Sequence, residues 1–111
     1  MGRYISTTGT AAPVIREVDA NFNATVNDRS LADTSTNGSF TITLPANTSL
    51  LVGDTIQIID VGAAAATANI TVGRNSSLVQ GATEDLTIDV SGSIVTLLYT
   101  GSTYGWVITS S

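Results

Sequence analysis

Apolar and polar residues alternate through much of the chain. In SFTITLPANTSLLVGDTIQIID, residues 39–60, Phe40, Ile42 and Leu44 alternate with Thr41 and Thr43. Leu44-Pro45 stops the pattern, and Gly53-Asp54 restarts it with Ile56 and Ile58 on one face. A period of two puts every second side chain on one side of an extended strand. Strands are therefore expected at 39–44, 55–60, 68–72, 77–80, 85–90, 93–100 and 104–109. Turn residues separate them: Asn37-Gly38, Pro45-Ala46-Asn47, Gly53-Asp54, Gly73-Arg74-Asn75, Ser91-Gly92 and Gly101-Ser102. Ser91-Gly92 has the form of a tight hairpin turn, its glycine supplying positive φ. The expectation is an all-β fold, a small β-sandwich or jelly-roll-like body, whose last three strands form a meander.

Residues 1–33 lack sustained alternation. Val14, Val18, Phe22 and Val26 recur every four residues behind Pro13. This spacing admits a short amphipathic helix over about 13–20; the rival reading is an extended arm docked on a neighbour. The chain thus divides into an N-terminal anchoring arm, 1–28, and a β-module, 29–111. In the arm, Tyr4, Val14, Val18 and Phe22 are the expected buried contacts. The alternative is that this segment folds back on its own body as an extra strand or short helix. The run Ala63-Ala64-Ala65-Ala66 is too short to nucleate a helix and reads as a close-packed connection.

Composition supports a β fold. The chain has 111 residues, enough for one domain, and only 12% are charged, about half the usual share. Thr and Ser fill the gap, and β-branched Thr suits a pleated, half-buried surface. The net charge is −5, and the four cations, Arg3, Arg16, Arg29 and Arg74, are scattered. Nucleic acid and anionic membrane surfaces draw affinity from clustered cations, so neither is an expected partner. No apolar run approaches the length of a membrane span.

The residues that usually carry catalysis are scarce. With no His, Cys or Lys, the chain has no histidine base, thiol nucleophile or Schiff-base amine. Carboxylates remain. Glu84-Asp85 with Asp89 could form a glycosidase pair, but solvent exposure at the ends of a strand explains them more simply. Asp33, Asp54 and Asp60 could offer oxygen ligands to Ca²⁺, but no dense Asp-x-Asp-x-Asn loop is present. Asp54 after Gly53 reads as a turn residue. No enzymatic activity, metal or cofactor is expected.

In Ile94-Val95-Thr96-Leu97-Leu98-Tyr99 both alternating sets are mainly apolar. One set can face the domain core, and the other needs a second cover that no helix of this chain supplies. A small domain without disulfides also gains from burial against a neighbour. A closed homo-oligomer follows, with Val95, Leu97, Tyr99 and Trp106 as the expected trimer-interface residues, although the pattern itself does not decide which of the two faces of this strand is the interface.

The series ADTSTNGSFTITLPA, VGDTIQIIDVG, ATANITVGRNSSLVQGATEDLTIDV and SIVTLLYTGSTYGWVI resembles a recurring β-module of tailed-bacteriophage virion proteins, found in small capsid decoration or cement proteins and in tail-fibre segments. The resemblance covers about residues 29–109. Its motifs are strand and turn signals, and their order is what is specific. Two departures stand out: the Ile-x-Gly turn is Val79-Gln80-Gly81, and the Gly-Trp ending is lengthened to Gly101-Ser-Thr-Tyr-Gly-Trp106. The resemblance implies trimeric assembly without catalysis. The expected role is a complete small gene product, assembled in the bacterial host cytoplasm, that decorates the outer capsid surface as a homotrimer. Its partners there would be the major capsid protein and neighbouring decoration trimers. A tail-fibre or receptor-binding component is the alternative.

Overall fold

A computed structural model describes residues 13–110. In chain order the strands are β1 (Val14–Val18), β2 (Phe22–Asn23), β3 (Asp28–Ala32), β4 (Phe40–Thr43), β5 (Thr55–Asp60), β6 (Ile70–Gly73), β7 (Leu86–Ile88), β8 (Ile94–Tyr99) and β9 (Trp106–Ser110). They form a five-stranded sheet A, ordered β1-β3-β5-β8-β9, and a four-stranded sheet B, ordered β2-β4-β6-β7. Alternation decides which side chains turn inward. Phe40 and Ile42 of β4, Ile56 and Ile58 of β5, Ile70 and Val72 of β6, and Val95 and Leu97 of β8 all join one core between the sheets.

From β1 to β6 the chain changes sheet at every step, so β1, β3 and β5 run parallel, as do β2, β4 and β6. Parallel neighbours need a crossover connection, and here a strand of the opposite sheet serves as the crossover. The direction then reverses: β7 pairs antiparallel to β6, β8 to β5, and β9 to β8. Three windings closed by antiparallel strands differ from a jelly roll, whose sheets are antiparallel.

The expected meander is corrected. Only β8 and β9 form its hairpin, while Thr71↔Thr87 and Ile70↔Ile88 place β7 in sheet B. Ser91-Gly92 carries the chain between sheets, with Gly92 at φ 77. A hairpin and a sheet-crossing arch both use such a glycine, so the turn residues do not tell them apart. Segment 77–80 contributes only isolated bridges, from Val79 to Ala82 and to Trp106.

Of the two readings admitted for about 13–20, helix or extended arm, the backbone is extended: Val14–Val18 is strand β1. A spacing of four is also a multiple of two, so Val14 and Val18 share one face of a strand as readily as of a helix. Residues 13–28 are therefore the first winding, and the expected boundary at 28 falls at the start of β3. Residues 1–12, with Tyr4, lie outside the described residues.

Trp106 anchors the core. It is fully buried, edge-on to Tyr99, with ring centroids 5.4 Å apart. Its backbone N–H donates to Leu78 O at 2.8 Å. Gly105 has φ +71, and a Cβ there would overlap the Leu78 carbonyl. Both the dihedral and the close approach require glycine before this tryptophan.

Candidate functional site

The carboxylates singled out in the sequence are spent on holding loops. Asp60 is buried at an inward position of β5; its Oδ2 accepts the N–H of Ala65 at 3.1 Å and of Gly92 at 2.9 Å. One carboxylate thus ties the alanine-rich connection to the arch between the sheets. Asp54 Oδ2 accepts the N–H of Leu51 at 2.8 Å, and Asp85 Oδ1 that of Arg74 at 3.0 Å. Asp33 accepts from the Ser35 hydroxyl and amide, which hold its carboxyl below the usual aspartate range. Satisfying loop amides in this way is a common use of Asp.

These groups do not converge. Asp54 sits where β8 ends, since Gly53 N–H donates to Tyr99 O, whereas Asp60 sits where β8 begins, its N–H donating to Ser93 O. Glu84 and Asp85 precede β7 and Asp89 follows it. Glu17, Asp19 and Asp33 do line one shallow recess of about 350 Å³ with Val18, Leu31 and Val61. No group of three or more His, Cys, Asp or Glu among the described residues is placed to hold a metal ion.

The two outer faces of the protein are chemically different. Outward positions of sheet B carry Thr41, Thr71 and Thr87 side by side, with Thr43 beside Gly73. Outward positions of sheet A carry Leu31, Ile59 and Ile94 in one cross-strand row and Leu98 with Val107 in another. Between the rows runs a polar one of Arg29, Gln57 and Thr96, in which Gln57 Nε2 donates to Thr96 Oγ1 at 3.0 Å. Ile94 is 45% exposed and Ile15 of β1 65%. Both faces meet the β-propensity of a strand, so propensity does not account for aliphatic residues on sheet A where sheet B has threonine. The outer face of sheet A is thus two apolar rows divided by a polar one, and the outer face of sheet B is mostly threonine.

This geometry corrects the interface residues expected from the sequence. Val95, Leu97, Tyr99 and Trp106 are all buried within a single chain, where they touch the opposite sheet and one another. Leu97 and Trp106 are wholly enclosed, so no neighbour can reach them while the chain is folded. The available set on β8 is the complementary one, Ile94, Thr96 and Leu98. The anchoring contacts are corrected in the same way. Val18 is buried and Phe22 packs against the core, whereas Val14 remains 42% exposed.

The second feature missed in the sequence is a loop tip. Leu51 and Val52 are 72% and 74% exposed, and Tyr104 on the neighbouring loop is 62% exposed. Two adjacent aliphatic residues between turn residues were a visible signal, since solvated turns are normally polar.

No protein-family model matches the chain, and no curated protein matches it.

Proposed function

We propose that the protein is a structural component of a tailed-bacteriophage virion, a decoration or cement protein that binds the outer capsid surface as a homotrimer and stabilises it. One observation carries the assembly: sheet A turns Leu31, Ile59, Ile94, Leu98 and Val107 outward, while sheet B turns threonines outward. In this reading sheet A packs against the other copies and sheet B faces solvent. The ordered motifs of residues 29–109 support the virion setting. The role asks for no reaction, and Asp33, Asp54, Asp60 and Asp85 serve to hold loops. The major capsid protein and neighbouring trimers are the partners.

Electron microscopy of virions labelled with antibody to this protein tests the setting. Label over the head is expected. Label over the tail would replace the decoration role with that of a tail-fibre component, and an unlabelled particle would refute both.

A further inference from the structure

We infer that the Leu51-Val52 tip of one copy inserts into an apolar groove on a second copy, a head-to-tail contact distinct from the sheet A face. The inference rests on the reading that copies assemble side by side and supplies the contact between neighbouring trimers.

The knob is rigid. Leu50 packs against the core. Leu51 N–H donates to Asp54 Oδ2 at 2.8 Å, Asp54 N–H to Leu51 O at 3.0 Å, and Gly53 N–H to Tyr99 O at 2.9 Å. The turn therefore holds its two aliphatic side chains away from the body instead of folding them onto it. They are the most exposed large apolar residues among the described residues.

The socket lies where the last strands of the two sheets separate. It is a groove of about 370 Å³ between β7 and the β8–β9 hairpin, with Ile88 and Val95 buried at its floor. Leu86 and Ile108 form its walls, and Val90, 63% exposed, stands at its rim. It has room for a pair of aliphatic side chains. A copy cannot fill its own groove. The tip is tied to Tyr99 at the end of β8, while the groove reaches Ser93 before β8 begins, roughly 20 Å away along a six-residue strand.

Charge favours this site for self-contact. Copies of net charge −5 repel, so they meet best where at least one side presents no free carboxylate. Asp54, the acid beside the tip, is turned back onto Leu51 N–H, so the tip brings no free anion to Asp89 at the groove. Two different patches in contact make a heterologous interface, which closes into a ring or links one assembly to the next.

The chain has no cysteine, which permits a clean test. Val52→Cys and Val90→Cys proteins, carrying tags of different size, are mixed and treated with a short bismaleimide. The 52–90 product is expected to form at least tenfold faster than the product of Val52→Cys with Asn23→Cys, whose site is on the outer face of sheet B. Adding Leu51→Asp to the Val52→Cys chain should return the rate to that of the control while leaving the sedimentation of the trimer unchanged. A 52–90 rate equal to the control, or one indifferent to Leu51→Asp, overturns the inference. Cross-linking that persists in a sheet A variant reduced to monomers retains this contact and refutes only its placement between trimers.

Discussion

Arg16 and Asp28 form the one ion pair among the described residues, Nε to Oδ1 at 2.9 Å, from inward positions on adjacent strands. The Arg16 guanidinium also lies 6.0 Å from the Phe22 ring centroid, so one side chain of sheet A reaches across to sheet B. It covers the end of the core left open at the first winding. A charge pointing inward from an edge strand also discourages further strands from pairing there. Asp28 is fully buried and accepts as well from Thr25 N–H at 2.8 Å and Thr25 Oγ1 at 3.0 Å.

Arg16→Ala should therefore lower the folding free energy by about 1–2 kcal/mol, because the charged hydrogen bond is partly exposed while its acceptor is buried. Arg16→Lys should recover part of the loss. Urea unfolding followed by circular dichroism measures both, and an unchanged midpoint for the alanine variant would remove Arg16 from this role.

The placement of β8 separates core from surface. Leu97→Ala should cost about 2–5 kcal/mol through the cavity it leaves. Val95→Asp or Leu97→Asp should abolish folding, since each buries an unpaired charge. A folded, monomeric Leu97→Asp protein would mean that this face is an interface after all.

The arch between the sheets depends on Gly92 and Asp60. Nothing lies within 4 Å of a Cβ built on Gly92, so Gly92→Ala meets only the strain of φ +77, about 1–2 kcal/mol. Asp60→Ala leaves the amides of Ala65 and Gly92 without their acceptor, at about 1–3 kcal/mol. Hydrogen exchange should speed at both amides in Asp60→Ala, while the amides of β4 keep their protection.

Asp33 should titrate below an ordinary aspartate, because the Ser35 hydroxyl and then the Ser35 amide favour its charged form. A depressed folded value stabilises the protein above the unfolded aspartate pKa, and the contribution is lost as pH falls through the folded value. Side-chain carboxyl NMR reads the midpoint directly. Ser35→Ala should raise it; an unmoved midpoint would exclude the hydroxyl as the main cause.

Where hydropathy and burial agree, the strands could be read from the sequence, as at Phe40–Thr43, Thr55–Asp60 and Ile94–Tyr99. Strand β3 inverts the rule: Asp28, Ser30 and Ala32 face inward and Leu31 faces out. The Arg16–Asp28 pair makes that inversion tolerable, and hydropathy alone does not reveal the pairing. On β8 both sets are apolar, and orientation follows from the partners. The set containing Thr96 lies beside Gln57, and the set containing Tyr99 meets Trp106. A polar residue within each outward set of β5 and β8 was the signal that would have distinguished the faces. The parallel winding was not legible, because alternation reports a strand's faces and not the direction of its neighbours.

The central claim is that the outer face of sheet A joins copies of the chain. Sedimentation equilibrium of the unmodified protein and of the Ile94→Asp, Leu98→Asp double variant, both checked for folding by circular dichroism, tests it most directly. The account predicts a trimer at micromolar concentration for the first and a folded monomer for the second. An unmodified protein that sediments as a monomer, or a double variant that remains a trimer, would contradict it.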